Sequence, residues 1–194
     1  MGNTPYAQIP VDERRKRAEH LSRSGSTDRD RWADRRNLSP KWDSRAQIVA
    51  GLIDPPARVI DLGCGAMALE GELRAGVTYF PADLVPRDSR TQLFDLNAGD
   101  LPDLDADVAV ALGLLEYAHD PSRFFEQVAK RWPRLILTYH PTDVPGASAD
   151  RMAKGWFNAL TADKLLGLAA AAGLELREMK AVSTDRIFDF RRNA

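Results

Sequence analysis

The run Val59-Ile60-Asp61-Leu62-Gly63-Cys64-Gly65 decides the fold. Arg58–Leu62 is a short apolar stretch suited to a buried strand, and an acid and two glycines one residue apart stand at its end. Glycine lets the backbone turn tightly and lets a ligand come close to the main chain. The helix expected next would offer free N–H groups to an anion. The acid at the strand end can hold a ligand's ammonium. Downstream, Val77–Phe80 leads to Asp83, and Thr91–Phe94 leads to Asp95. Asp107–Leu112 and Arg134–Tyr139 are two further strand candidates. Between them Pro121 to Trp132 reads as a helix carrying Phe124, Phe125, Val128 and Trp132. Thr161 caps an Ala/Leu-rich helix that runs to Ala172 and stops at Gly173.

Strands alternating with helices imply a mostly parallel sheet covered on both faces. Glu175–Val182 and Arg186–Arg191 have no helix between them, so they imply a terminal antiparallel hairpin. The expected fold is α/β: a Rossmann-like, doubly wound, seven-stranded sheet ending in that hairpin and preceded by a helical extension. Upstream, Ser39-Pro40 reads as an N-cap with Pro at the first helical position. It opens a helix over Lys41 to Ile53 with Trp42, Ala46, Val49 and Ile53 on one face. Residues 1–40 form a charged leader: Val11 to Leu21 is helix-like, Ser22–Thr27 a linker, and Asp28 to Arg36 a second short helix. Through Arg58 there are 12 Lys and Arg against 8 Asp and Glu, so the positive charge is concentrated early. Residues 41–194 are expected to form the one domain proper.

Three strand ends carry acids. Asp83 stands where an acid in such a sheet accepts from both hydroxyls of a ribose. Asp95 can accept from an adenine amino group while Leu96 packs on the ring. Together with Asp107 to Pro121, which contains Leu115-Glu116-Tyr117 and then Asp120-Pro121, these stretches resemble the class I S-adenosylmethionine-dependent methyltransferases. The resemblance covers roughly Trp42 to Arg191 and specifies fold and cofactor better than substrate. It implies that Asp61 and the Gly63-Cys64-Gly65 backbone hold the methionine portion of S-adenosylmethionine. Asp83 would hold the ribose, Asp95 and Leu96 the adenine, and Leu84 would also touch the cofactor, with Leu112 and Gly113 lining the site by main-chain contact. Two features depart from the family. Met67 stands where many members have a third glycine, and Tyr117 stands where Leu-Glu-His would place a histidine.

The implied reaction is methyl transfer to a small-molecule acceptor, most simply to oxygen, for which proximity and orientation supply most of the rate. An oxygen acceptor must lose its proton, and a neutral histidine suits that task. Of the three histidines, His20 lies in the leader, while His119 and His140 follow the fourth and fifth strands. His140 is the favoured base, with His119 as the alternative. Asp/Asn-Pro-Pro-Tyr/Phe does not follow the fourth strand, which disfavours amino methylation of nucleic acids. Arg35, Arg36, Trp32 and Trp42 could fold over the site as a lid or form a solvated basic face.

Composition sets the outer limits. The chain has 194 residues, a formal net charge of -1 and one cysteine. A near-zero charge argues against a nucleic-acid or anionic-membrane partner. Leu165 to Leu174 is the longest apolar run, well short of the about 20 residues a membrane span needs. Met1 to Gln8 carries no signal-peptide core. A lone Cys64 gives no sign of an oxidising compartment and cannot build a Cys-x-x-Cys metal site, so a cytoplasmic protein without a metal is expected. A non-catalytic cofactor-binding partner subunit is the competing reading. A nicotinamide oxidoreductase is a third, weakened by the incomplete glycine spacing after Gly65.

Overall fold

The computed structural model describes residues 4–39 and 43–193. The expected helix start at Pro40, with Lys41 and Trp42, lies outside the described residues. Seven strands form one sheet: β1 (Ala57–Leu62), β2 (Val77–Asp83), β3 (Gln92–Leu93), β4 (Val108–Leu112), β5 (Arg134–Tyr139), β6 (Leu174–Val182) and β7 (Asp185–Arg192). Their order is β3-β2-β1-β4-β5-β7-β6. β1 to β5 are parallel, with Asp61 opposite Pro81 on one side and Val110 on the other. β7 runs antiparallel to β5 and to β6, as the missing helix between the last two strands implies.

Alternate residues of the central strands feed two cores. Ile60, Leu62, Leu135, Leu137, Phe188 and Phe190 point to one face, where α5 (Pro121–Arg131) and α6 (Ala162–Ala171) deliver Phe124, Phe125, Val128 and Leu165. Val59, Val108, Val110, Ile136 and Ile187 point to the other, where α3 (Asp43–Ala50) and α4 (Ala68–Glu72) supply Ala46, Val49 and Leu69. Each buried strand therefore reads as a continuous apolar run, because both its faces are covered. Asp120 and Thr161 cap α5 and α6 by accepting from the N–H groups of Arg123 and Lys164. Trp132 ends α5 fully buried and donates through Nε1 to the Leu104 carbonyl at 2.8 Å.

Some boundaries differ from expectation. α1 (Val11–Ser24) runs through half of the expected linker and stops at Gly25, whose φ of 63° closes the helix. Asp28 to Arg36 is divided: α2 (Arg29–Ala33) is capped by Asp28, and Asp34 opens a separate 3-10 turn at Arg35–Asn37. β3 is only two residues long; just before it the Thr91 hydroxyl accepts from the N–H groups of Arg87 and Asp88. No described helix is long and apolar enough to cross a membrane. Phe125 is fully buried between α5 and the sheet and meets Phe190 edge-on. Phe125→Ala should cost about 3–5 kcal/mol, the scale of an aromatic deletion in a core; a denaturant titration checks this.

Candidate cofactor cavity at the carboxyl edge of the sheet

A cavity of about 130 Å³ opens at the carboxyl ends of β1, β2 and β4. Its floor is the turn after β1. The N–H groups of Gly63 and Cys64 both donate to the Ala82 carbonyl, at 2.8 and 3.0 Å, and so tie that turn to β2. Gly63 sits at φ 74°, and a Cβ there would stand 2.9 Å from Leu114 Cδ1. A side chain is excluded both by backbone geometry and by contact. The helix expected after the turn is only the five residues of α4, and Met67 before it holds φ 58°. Left-handed backbone at this place suits a glycine; Met67 adopts it at a cost of about 1–2 kcal/mol.

Asp61, Gly63, Cys64, Gly65, Asp83, Leu84, Leu96, Leu112 and Gly113 all line this cavity, as the resemblance implies. Asp95 does not. Its Oδ1 accepts from the hydroxyl of Thr27 and from the N–H of Asn97, and the leader residue Thr27 lines the cavity in its place. Asp83 is also less available than its position suggests. Oδ2 accepts from Gly65 N at 2.8 Å, and Oδ1 accepts from Arg87 Nη2 at 3.1 Å and from Val85 N at 3.3 Å. The Asp83–Arg87 pair is buried, with side chains 6% and 3% exposed. Cys64 is buried, and burial pushes its thiol above the ordinary range, which fits packing and not nucleophilic chemistry.

Asp61 is different. Its Oδ2 accepts from the Tyr79 hydroxyl at 2.8 Å, and among the described residues no cation forms an ion pair with it. Burial, opposed by the Tyr79 hydrogen bond and reinforced by the Asp83 charge, pushes its pKa from 3.8 up to about 7.

Neither histidine lines the cavity. The expected place of one of them beside the reacting atoms has no counterpart in this lining. His140 is 5% exposed. Its Nδ1 donates to Asp185 Oδ1 at 3.0 Å, and its Nε2 accepts from Ser148 N at 3.2 Å, so no lone pair is left for a substrate proton. His119 stacks on Phe157 at 4.2 Å and donates from Nε2 to the Ser26 carbonyl at 3.1 Å. It fastens the leader to the body. His20 is exposed on α1.

The leader lies across the mouth. Thr27, Trp32 and Leu38 line the cavity. The Arg31 guanidinium sits 3.7 Å from the Tyr6 ring centre and 4.4 Å from that of Trp32, and Nη1 donates to the Lys154 carbonyl at 2.8 Å. Arg15 reaches Asp150 at 2.7 Å. Arg36 pairs with Asp34 and stays half exposed; Trp42 lies outside the described residues. Sequence reading missed Tyr79, Thr27, Arg87 and Arg45. Only Arg87 had a local signal, its spacing of four residues from Asp83.

Glu116, behind the cavity, is a second buried acid. Burial raises its carboxyl from 4.5 to about 7. Its Oε1 accepts from His140 N, and its Oε2 has no partner. Both raised groups are neutral in the folded protein where the unfolded chain is ionised. Their contribution is full below about pH 4 and is lost as pH rises toward about 7. Tm should therefore fall between pH 5 and 7 and level off above. Asp61→Asn and Glu116→Gln should each flatten part of that fall and raise Tm at pH 8. A wild-type Tm that is flat across this range would contradict the assignment.

The comparisons agree with this geometry. A family model described as a methyltransferase domain matches residues 30–179. No curated protein matches the chain. Among solved structures, CalO1, a methyltransferase in calicheamicin biosynthesis in its SAH-bound form, aligns with a TM-score of 0.65 and 19% identity over 97% of this chain and 70% of that one. An O-methyltransferase from neocarzinostatin biosynthesis, in complex with S-adenosyl-L-homocysteine and 1,4-dihydroxy-2-naphthoic acid, aligns with a TM-score of 0.65 and 18% identity over 94% and 69%. The cyclase SpnF aligns with a TM-score of 0.63 and 17% identity over 78% and 81%. At such identities these likenesses show a shared fold and nothing more of function. The family model covers most of the chain, the sheet order and glycine turn carry the fold, and the chain belongs to the methyltransferase-domain family within the class I S-adenosylmethionine-dependent superfamily.

Proposed function

We propose that the chain is an S-adenosylmethionine-dependent methyltransferase that transfers a methyl group to an oxygen of a small-molecule acceptor. The observation that carries this reading is Asp61: a buried carboxyl lining the cavity, with a hydroxyl for a partner and no cation paired to it among the described residues. A ligand bearing ammonium and sulfonium charges supplies what that carboxyl lacks. The roles implied by the resemblance fit the lining. Asp61 and the Gly63-Cys64-Gly65 turn take the methionine portion, Asp83 the ribose and Leu96 the adenine, and Leu84 also touches the cofactor. Leu112 and Gly113 form the wall at the end of β4. Asp95 reaches the adenine only where Thr27 gives way. The leader through Leu38 acts as a lid, and the compartment that fits is the cytoplasm.

The bound sulfonium supplies an electrophilic methyl group. The protein's part is to orient the two reactants and to keep water out, which Trp32, Leu38 and Leu114 do with apolar surface. With both histidines outside the cavity lining, the reading that fits is an acceptor oxygen already ionised at neutral pH, such as a carboxylate or an acidic phenol. The absence of a histidine among the described lining residues also favours the second reading, a cofactor-binding protein without turnover.

Calorimetry with S-adenosylhomocysteine, S-adenosylmethionine and NAD tests the reading, together with turnover on a panel of carboxylates and phenols. The S-adenosyl ligands should bind and NAD should not. A cation beside Asp61 favours its carboxylate, so binding should release a proton. Affinity for S-adenosylmethionine should rise by up to about tenfold per pH unit below about pH 7 and flatten above. Asp61→Asn should abolish that dependence and weaken binding. Tighter binding of NAD would sink the cofactor assignment. Cofactor binding with no product across the panel would favour the second reading.

A further inference from the structure

We propose that Arg31 is the latch of the leader: its guanidinium, seated among the rings of Tyr6, Trp32 and Tyr117, holds the cover shut, and the cofactor enters and leaves the cavity only when that seat empties. The proposal rests on the reading of the leader as a lid and names what fastens it.

The cavity needs room that the leader occupies. At about 130 Å³ it falls below the range of about 300–1,000 Å³ usual for sites that take a small molecule or cofactor. Its floor is fixed by the paired register of β1, β2 and β4. Thr27, Trp32 and Leu38 reach it from the leader. Leu38 Cδ2 stands 3.6 Å from the point that a Cβ on Gly65 would occupy, so the leader extends to the glycine turn itself. Space for a nucleoside joined to an amino acid is made by moving these leader residues and not the strands.

One guanidinium joins the cover to the body. Arg31 lies on α2. On the leader side its guanidinium carbon is 3.7 Å from the Tyr6 ring centre and 4.4 Å from that of Trp32. On the body side it is 5.4 Å from the Tyr117 ring centre. Nη2 donates to the Tyr117 hydroxyl at 3.4 Å, and Nη1 donates to the Lys154 carbonyl at 2.8 Å. A cation over aromatic faces is attracted by their quadrupoles, most strongly where water is excluded. Tyr6 is buried. Trp32 and Tyr117 meet edge to face at 5.1 Å and both line the cavity, so the seat of the latch is also a wall of the site. Asn37 makes the leader one piece: its Oδ1 accepts from Tyr6 N and its Nδ2 donates to the Arg31 carbonyl, both at 2.7 Å.

The body is shaped to receive this group. Gly155 ends the 3-10 turn Met152–Lys154 at φ 73°, and a Cβ there would stand 2.6 Å from Arg31 Nη1 and 3.3 Å from the Tyr6 hydroxyl. A side chain at 155 would push the guanidinium off the Lys154 carbonyl. Tyr117, at the place where the resemblance would put a histidine, offers the same guanidinium a ring and a hydroxyl.

Hydrogen exchange and binding kinetics test the latch in wild type, Arg31→Ala, Arg31→Lys, Gly155→Ala and the Arg31→Ala/Gly155→Ala double variant. Without cofactor, the amides of Trp32 and Leu38 should exchange about tenfold faster in Arg31→Ala, the scale of a desolvated cation–π contact, and Arg31→Lys should recover part of the protection. S-adenosylhomocysteine should both bind and leave Arg31→Ala about tenfold faster on a surface biosensor, since a gate slows passage in both directions. Gly155 lies outside the cavity lining, yet Gly155→Ala should reproduce these changes. The double variant should be no faster than Arg31→Ala, because Gly155 acts through the guanidinium; two independent structural lesions would add. Unchanged protection of the β4 and β5 amides shows that the body of each variant is folded. Leader exchange that is unchanged in Arg31→Ala and in Gly155→Ala overturns the latch. So does a rise in dissociation alone, which would make Arg31 a contact of the bound cofactor, and so does a double variant faster than either single one. A wild type that binds no S-adenosylhomocysteine sinks the functional reading, and that failure is told apart because the exchange result needs no ligand.

Discussion

A carboxyl at the end of a fully buried strand is costly unless something compensates for it. β1 is covered on both faces and flanked by β2 and β4, so Asp61 has nowhere to turn except into the cavity. The protein has met this in part with the Tyr79 hydroxyl from the adjacent strand, and burial leaves the group protonated near neutrality. Asp83, one strand over, is treated in the opposite way: Arg87 neutralises it within the fold. Two acids in one cavity thus differ in their partners: a hydroxyl for Asp61 and an arginine for Asp83.

The leader completes the same site. Its contacts are polar at several points spread over the surface: Thr27 on Asp95, Ser26 on His119, Arg15 on Asp150 and Arg31 on the Lys154 carbonyl. Between these, the cavity receives Trp32 and Leu38. A segment fastened by single hydrogen bonds and exposed ion pairs, each worth about 1 kcal/mol or less, is held less firmly than a helix buried against the sheet. Leader residues and the sheet edge therefore contribute to one lining.

The strands and the site edge were legible because their signals are local. Apolar runs ending in Asp61, Asp83 and Asp95 read directly as strands with acids at one edge, and the hairpin followed from a missing helix. β3 is two residues where four were expected, and the turn before it is closed by the Thr91 hydroxyl, a contact that the residue type does not announce. Position along the chain placed His119 and His140 correctly at the sheet edge, but it could not tell which way the rings face. That is decided by Ser148, Asp185 and Ser26, residues up to 93 positions distant. Asp95 was covered for the same reason: Thr27 is 68 residues away. Contacts across such spans are made by the folded surface and leave no periodicity to read.

Met67 shows how a family signature and the geometry behind it come apart. The turn keeps a left-handed residue at the third position of the motif, while the residue itself has changed. A search that scores letters loses the third glycine and with it part of the motif. A comparison of backbone angles loses nothing, since φ at Met67 is 58°. In this chain it is the handedness of that one residue, not its side chain, that keeps the turn.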